Sequence, residues 1–320
     1  MNAPGRRVSH LPTNLADPAR LAPLSGRQPP AYSALFSGQA ALERLALLSE
    51  VQAQQVLSVC AATLGLYPAW ERHNWTMPEP EAALRAYGGH FLQLDAVAAR
   101  LGHVRHVPGR QSYLHAPSGL TFAAHQSPLG TVTLLLGGVN SSHSESQTQT
   151  FPAEVKQIEA NVLNLMGRVP HLYRAADLLT LLVRGEVEGE LSVGGHSLGG
   201  GLAQYAGLMN GLKVLAFSPT ALGRGVLALL SQSGKLADTP KVLERVRSFS
   251  LDGDPIPEIG TRRFHSHVVG LQLRLPLFPG IAPVRHATSH GQIYSHLLAH
   301  LQQKWPELPS ALRTDGTDHS

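Results

Sequence analysis

The sequence predicts an α/β fold in which a mostly parallel sheet is flanked by helices and follows an N-terminal helical section. β-rich runs alternate with helix-compatible runs between about residues 110 and 305, an order that favours parallel strands joined by helices. Two of the β-rich runs end in glycines or aspartates, "TVTLLLGGVN" at 131–140 and "VLERVRSFSLDGD" at 242–254. With 43% hydrophobic and 15% charged residues, a chain of 320 residues can bury a substantial core.

The chain divides into four predicted segments. Residues 1–30 are rich in Pro, Ala, Arg, Ser and Asn, with Asp17 as the only acid, which is typical of a disordered leader. Residues 31–105 form a helical section: apolar residues recur at helical spacing over 39–66, and a second helix, interrupted at Gly88-Gly89, is expected over 80–101. Residues 106–306 form the α/β domain, and 307–320 are a polar, flexible tail.

The predicted elements of the α/β domain follow one another in a regular order. A hairpin over "QSYLHA" and "LTFAAHQ" precedes the strand in 131–140, and helices are expected at about 152–167 and 173–184. A strand in "GELSVGG", a helix from Leu198 and a strand in "LKVLAFSP" come next. Strands in 242–254 and in "VVGLQLRLP" precede a closing helix over 290–305.

Composition and charge exclude several kinds of protein. Cys60 is the only cysteine, so neither an intrachain disulfide nor a cysteine-rich metal site can form. The formal charge of +4 comes without a basic block interleaved with aromatics, so nucleic acid is not an expected partner. That charge is compatible with peripheral contact with an anionic membrane surface. No stretch reaches the roughly 18–20 continuous apolar residues of a membrane-spanning helix.

The stretch "VGGHSLGGGLAQ" at 193–204 carries the strongest functional signal. Ser197 lies in the pattern Gly-x-Ser-x-Gly, after the β-rich "ELSV" and before a helix-compatible run. A strand–turn–helix setting is what a nucleophilic serine on a tight turn requires. Gly195 and Gly199 remove the Cβ atoms that would clash there, and the N–H of Leu198 is a candidate donor to an oxyanion. A phosphate-binding loop would need a following Lys and Ser or Thr, which the sequence lacks.

Several segments together resemble the class-three (fungal-type) lipases and their bacterial α/β-hydrolase relatives. "VGGHSLGGGLAQYAG" resembles the family's nucleophile segment, "LAFSPTALG" the next strand, and "SLDGDPIPEIG" the segment of the acid residue. "LLLGGVN" resembles the oxyanion strand and loop, with Gly137 and Val139 where the family usually has Arg and Thr. The resemblance covers about 110–305 and leaves 1–105 outside. It implies an α/β-hydrolase fold with a serine, an acid and a histidine in that chain order.

Asp254 is the predicted acid of this group. It follows the β-rich "RVRSFSL", and Pro255 after it favours a turn. The run Asp-Pro-Ile-Pro resembles the family's Asp-Pro-Val-Pro. Aspartates at strand ends often only cap turns, and Asp252 remains the alternative acid.

The base is predicted to be His290, because the closing helix can begin directly after it and an aromatic residue, Tyr294, follows. His286 and His296 remain alternatives. His296 and His300 have a zinc-compatible i, i+4 spacing, but "HLLAH" lacks the glutamate of the zinc-protease helix. The C-terminal region offers six histidines in all: His265, His267, His286, His290, His296 and His300.

The second oxyanion donor is predicted to be the backbone N–H of Val139. In the family a Thr or Ser hydroxyl often assists at this position. Val139 has no hydroxyl, so either the backbone acts alone or Asn140 or Ser141 takes that role. The polar segment 140–152 corresponds to the family's lid, and the nearby apolar residues Leu163, Leu165 and Met166 are expected to be helix core.

These residues predict a serine carboxylic-ester hydrolase, lipase- or phospholipase-like, that acts on acyl esters or lipids through an acyl-enzyme. Such chemistry requires no metal or organic cofactor. An acyltransferase would use the same three residues, and a non-catalytic binding or scaffold protein on the same fold is the alternative from another class. The N-terminus lacks the apolar core of a secretory signal. We therefore expect a cytoplasmic protein, or an effector exported without such a signal, and the Ala-, Leu-, Gly- and His-rich composition is compatible with a GC-rich bacterium.

Overall fold

The computed structural model describes residues 30–68, 72, 87–143, 151–279, 281 and 290–308. The predicted leader and tail lie outside these residues, apart from residue 30 and residues 307–308. Most of the segment expected to be a lid, 144–150, and the candidate base His286 lie outside them as well.

Ten strands form one sheet in the part of the chain that is described. Their order across the sheet is β1-β10-β9-β8-β7-β6-β5-β4-β3, with β2 also paired to β5. The strands from β1 to β6 in this order are parallel to one another, and β2 to β5 add antiparallel pairs at one side. The bounds are β1 Ser33–Ser37, β2 His90–Leu92, β3 Val104–His106, β4 Tyr113–His115, β5 Leu120–Gln126, β6 Val132–Leu136, β7 Leu191–His196, β8 Lys213–Phe217, β9 Val246–Leu251 and β10 Gly270–Leu275.

Helices cover both faces of this sheet. Helices α1, α2 and α10 supply one hydrophobic core, and α3 to α8 supply the other. The bounds are α1 Gly38–Leu45, α2 Glu50–Leu64, α3 Asp95–Leu101, α4 Phe151–Leu165, α5 His171–Glu186, α6 Leu198–Asn210, α7 Arg224–Gln232, α8 Thr239–Arg245, α9 Pro255–Arg263 and α10 Ile293–Gln302. The predicted α/β architecture, with a mostly parallel sheet flanked by helices, is confirmed.

The strand β6 shows why the central strands read as continuous apolar runs. Leu134 and Leu136 lie in the core on one face, whereas Leu135 lies in the core on the other. Successive side chains of a strand point to opposite faces. A strand covered by helices on both sides therefore buries every residue, and all five residues of β6 are buried.

The section predicted to be helical, 31–105, also contains strands. β1 pairs in parallel with β10 at the edge of the sheet, and the Ser33 hydroxyl donates to the carbonyl of Val268. β2 and β3 join the antiparallel side. Where the second helix was expected over 80–101, the described part consists of a turn at Gly88, β2 and then α3. β1 and β2 pair with strands that come later in the chain, β10 and β5, whereas β3 pairs with the neighbouring β4.

The helix predicted over 39–66 is broken into α1 and α2. Ser49 begins α2 with a capping box, in which its hydroxyl accepts from the N–H of Gln52 and its own N–H donates to the Gln52 side chain. The two helices are bent by 112°. Among the described residues no single helix is long and apolar enough to span a membrane. Only this bent pair, taken together, has the required length and apolar composition.

Candidate active site

Four loops meet at the edge of the sheet where the central parallel strands end. They follow β6, β7, β8 and β9, and they carry Val139, Ser197, Ser218 and Asp254 respectively. The register of the strands brings these ends together, since His196 of β7 pairs with Phe217 of β8. Ligand sites of parallel α/β sheets lie at this edge, so the predicted site residues share the location that the fold favours.

Ser197 occupies a strained turn between β7 and α6. Its φ of 58° and ψ of −126° are unusual for a residue with a side chain. A Cβ on Gly195 would lie 2.1 Å from the carbonyl oxygen of Gly199, and one on Gly199 would lie 2.0 Å from that of Leu136. The prediction that these two glycines permit a tight turn between strand and helix is confirmed.

Backbone hydrogen bonds hold the Ser197 peptide in place. Its N–H donates to the carbonyl of Phe217 at 3.1 Å, and its carbonyl accepts from the N–H of Thr220 at 2.9 Å. Leu198 is the first residue of α6, so its N–H has no carbonyl partner within the helix. Ser197 and an amide without an intrahelical partner therefore lie side by side at the positive end of a helix dipole.

Asp254 is buried and bonded through both carboxylate oxygens. Its Oδ1 accepts from the N–H of Ile256 at 3.0 Å, and its Oδ2 lies 3.1 Å from Nδ1 of His290. Burial alone would raise the pKa of Asp254. The hydrogen bond and charge of His290, the nearby Ser218 side chain and the Ile256 amide outweigh burial and bring the pKa below its ordinary value. The carboxylate is therefore ionised at neutral pH.

Asp252, the alternative acid, has a different environment. It is half-buried, and burial raises its pKa, an effect that the charge of Arg274 partly offsets. Arg274 itself forms an ion pair with Glu258 at 2.7 Å. The structure thus brings Asp254 to His290. Asp252 instead lies near the charged side chains of Glu258 in α9 and Arg274 in β10.

His290 lies in the turn that leads into α10. Its side chain is 16% exposed, and its Nδ1 faces Asp254. Its Nε2 atom is buried and has no hydrogen-bond partner among the residues the structure describes. A histidine whose one nitrogen is bonded to a buried carboxylate has its other nitrogen available as a proton acceptor. The Tyr294 hydroxyl, bonded to that of Tyr87 at 2.9 Å, anchors the first turn of α10 behind it.

The ring of His196, the residue before Ser197, lies against His290. The two ring centroids are 4.4 Å apart, and Nε2 of His196 lies 3.0 Å from the carbonyl oxygen of His290. Because Ser197 directly follows His196, these contacts bring His290 to the serine turn. Sequence reasoning did not single out His196, although it occupies a variable position of the motif in which Ser197 was recognised.

The remaining C-terminal histidines within the described residues have other surroundings. Nδ1 of His296 accepts from the N–H of Phe278 at 2.8 Å, and Nε2 of His300 donates to the carbonyl of Pro276 at 2.8 Å. Burial lowers the pKa of His296 to about 4. His265 is exposed, and His267 forms an isolated bridge with Leu222. In the described part of the chain, no three His, Cys, Asp or Glu side chains are grouped as metal ligands.

The loop after β6 is a tight turn that abuts Ser197. The carbonyl of Gly138 accepts from both the N–H and the hydroxyl of Ser141, at 3.3 and 2.5 Å, and Asn140 adopts a φ of 72°. The Val139 N–H takes no part in closing this turn. A Cβ on Gly138 would lie 3.2 Å from the Cβ of Ser197. The Ser141 hydroxyl is buried and donates to the Gly138 carbonyl within this turn, so it is not a free donor beside Ser197.

Comparison with known proteins adds no assignment to this geometry. No family model matches the chain, and no curated protein matches it. Any functional conclusion therefore depends on the residues that meet at the carboxyl edge of the sheet.

Proposed function

We propose that the protein is a serine carboxylic-ester hydrolase, lipase- or phospholipase-like, with Ser197, His290 and Asp254 as its catalytic residues. One observation carries the proposal: buried Asp254 is bonded to His290, 3.1 Å between Oδ2 and Nδ1, and His290 packs against the residue before a serine on a strained strand-to-helix turn. Serine hydrolases on several folds share this arrangement. The resemblance to class-three lipases noted in the sequence supports the same reaction.

In the proposed reaction, Ser197 Oγ attacks the carbonyl carbon of the ester while His290 Nε2 takes the hydroxyl proton. The negative charge that develops on the carbonyl oxygen is stabilised by the N–H groups of Leu198 and Val139. Collapse of the intermediate breaks the bond to the alcohol, which leaves with the proton from His290. Water then attacks the acyl-enzyme by the same route and releases the carboxylic acid. Asp254 keeps the imidazole oriented and stabilises its charged form.

An exposed apolar stripe on α4 supports a lipid substrate and peripheral membrane contact. The stripe consists of Val155, Ile158, Val162 and Met166, which are 46 to 63% exposed and recur at helical spacing. The expectation that Met166 is helix core is wrong, since it lies one residue past α4 and is 63% exposed. An amphipathic helix of this kind can rest at a lipid surface with its apolar face down.

Helix α4 is attached to the candidate site at two points, near its middle and near its C-terminal end. Gln157 donates to the carbonyl of Gly119 and lies 3.5 Å from the Ser141 hydroxyl of the loop after β6. Asn164 bonds the loop after β8 through the carbonyl of Ala221 and the N–H of Gly223, both at 2.8 Å. The apolar stripe therefore belongs to a helix whose buried side contacts two of the loops at the sheet edge.

A panel of esters tests the proposal. We expect wild-type protein to hydrolyse one or more of p-nitrophenyl acetate, octanoate and palmitate, a monoacylglycerol and a phosphatidylcholine, and Ser197→Ala to lose that activity. Ser231→Ala, which removes an exposed serine of α7, is the matched control and should retain it. Analysis of products in the presence of an alcohol separates hydrolysis from acyl transfer. No turnover of any ester by wild type would favour the binding or scaffold alternative.

A further inference from the structure

We infer that His196 and Tyr67 are positioning residues that hold the His290 imidazole in its reactive orientation. The inference rests on the proposed function, because His290 is the base of that reaction. The inference goes beyond the proposed function because it gives the N-terminal section a defined part in the site. That section has no counterpart in the segments that resemble lipases. Neither residue contacts a substrate atom in this account, and both act through His290.

The hydrogen bonds of His196 fix its tautomer. Its Nε2 lies 3.0 Å from the carbonyl oxygen of His290, and a carbonyl oxygen can only accept. The proton of the neutral ring must therefore be on Nε2, which leaves Nδ1 with a lone pair. The hydroxyl of Tyr67 lies 3.1 Å from Nδ1 and 3.2 Å from the carbonyl oxygen of His196, so it can donate to either acceptor.

His196 is neutral in this environment. It is 1% exposed, and its burial, together with the proximity of His290, lowers its pKa to about 3. A charged His196 would carry a proton on Nδ1 and repel the imidazolium that His290 becomes during the proposed reaction. A neutral His196 donates one hydrogen bond to the His290 backbone and adds no charge beside its ring.

Two contacts from His196 and one from Asp254 restrict His290 in different ways. The hydrogen bond to the carbonyl of His290 fixes its main chain, and the ring contact at 4.4 Å limits rotation of the imidazole. The bond from Nδ1 to Asp254 selects one ring orientation. Together they leave Nε2, which has no partner among the described residues, as the free nitrogen.

Tyr67 reaches this point from the turn that follows α2. The side chain is 2% exposed, and its ring meets that of His196 edge-on, with centroids 5.3 Å apart. A Cβ on Gly138 would lie 2.3 Å from the Tyr67 hydroxyl. Tyr67 therefore packs between the serine turn and the loop after β6, so the N-terminal section supports both halves of the site.

The variant Tyr67→Phe tests the inference, since it keeps the ring and removes only the hydroxyl. We expect the rate of Ser197 labelling by a fluorophosphonate to fall about 10-fold to 100-fold, the scale of a small misplacement of a reacting group, and kcat for an ester to fall while KM stays unchanged. Tyr173→Phe is the matched control, because Tyr173 is also fully buried and its hydroxyl has no partner among the described residues.

Nitrogen-15 NMR of the histidine rings provides a readout that does not require activity. At neutral pH we expect the protonated-Nε2 tautomer for His196 in wild type and in Tyr67→Phe, since the carbonyl of His290 accepts from that nitrogen in both. The Nδ1 resonance of His196 should shift in Tyr67→Phe, because that nitrogen loses its hydrogen bond to the Tyr67 hydroxyl. If wild type is not labelled but this shift occurs, the hydrolase proposal falls and the Tyr67–His196 arrangement stands. An unchanged Nδ1 resonance in Tyr67→Phe overturns the inference whether or not wild type is labelled, as does an unchanged labelling rate in a protein that is labelled.

Discussion

The Nδ1 atom of His290 lies 3.1 Å from Oδ2 of Asp254, although the two residues are 36 positions apart in the chain. The carboxylate is fully covered, with a side chain 0% exposed, whereas the imidazole side chain is 16% exposed. A buried carboxylate is stable only when it is hydrogen-bonded or paired. Asp254 therefore fixes which way the His290 ring faces, and the candidate site depends on this pair.

Replacing Asp254 by asparagine should remove the orienting charge with little change of shape. We expect kcat for a cleaved ester to fall by roughly 10³-fold to 10⁴-fold, because the amide favours the wrong tautomer of His290 and cannot stabilise its charged form. Asp252→Asn is the control, since Asp252 faces Arg274, and it should retain activity close to wild type. Steady-state kinetics of wild type, Asp254→Asn and Asp252→Asn measure these changes in kcat. A larger loss of kcat in Asp252→Asn than in Asp254→Asn would identify Asp252 as the acid.

The packing around the serine turn predicts a large effect of one methyl group. In Gly199→Ala the new Cβ would start 2.0 Å from the carbonyl oxygen of Leu136, so the strand and helix must separate. We expect a loss of about 3 kcal/mol in the free energy of unfolding, within the range of overpacked sites. Gly185→Ala, in an open part of α5, should stabilise by up to about 1 kcal/mol. Urea unfolding measures the free energy of unfolding of both variants. Equal changes in Gly199→Ala and Gly185→Ala would show that the turn is not tightly packed.

Buried neutral histidines predict a loss of stability in acid. Burial lowers the pKa of His125 from 6.5 to about 4, so below about pH 6.5 the unfolded chain binds a proton that the folded chain does not. Stability therefore falls with decreasing pH until the folded value is reached. His125 alone should contribute about 2 kcal/mol of loss between about pH 7 and pH 5.

The variant His125→Gln isolates this contribution. Glutamine can keep a hydrogen bond to Ser58, which lies 3.2 Å from the imidazole, but it does not titrate. Unfolding free energies measured at both pH values should show a smaller pH dependence than wild type. The exposed His265 replaced by Asn should show the wild-type dependence. If His125→Gln keeps the full pH dependence, His125 takes up its proton in the folded protein.

The apolar stripe on α4 predicts binding to lipid. Replacing both Val162 and Met166, which are 50 and 63% exposed, by serine should reduce co-sedimentation with vesicles of phosphatidylcholine and phosphatidylglycerol, because apolar area available for insertion is lost. The control replaces Leu178 and Leu181 of α5, 50 and 53% exposed, by serine. Equal binding of all three proteins, or none by wild type, would contradict the proposed membrane contact.

The parts of the fold and site that follow from local chemistry could be predicted from the sequence. Gly195 and Gly199 flank Ser197 at fixed spacing, and the strand and helix on either side have strong local patterns. Asp254 follows a β-rich run and His290 precedes a helix, and the order serine, acid, histidine is what the resemblance to class-three lipases implies. Both predictions agree with the hydrogen bond between these two residues.

Features that depend on distant partners could not be predicted. The contact between Tyr67 and His196 joins residues 129 positions apart, and nothing in the pattern around either residue indicates it. β1 is a strand because β10 provides its hydrogen bonds, not because its five residues alternate in hydrophobicity. Helical spacing does not show which of two apolar faces is covered, so the exposure of Met166 cannot be predicted from the sequence.

The most direct test of the account is to react the wild-type protein with a fluorophosphonate and locate the modified residue by mass spectrometry of its peptides. We expect one phosphonylated residue, Ser197, with loss of labelling in Ser197→Ala and strongly slowed labelling in His290→Gln. A wild-type protein that remains unmodified, or one labelled at a different serine, would contradict it.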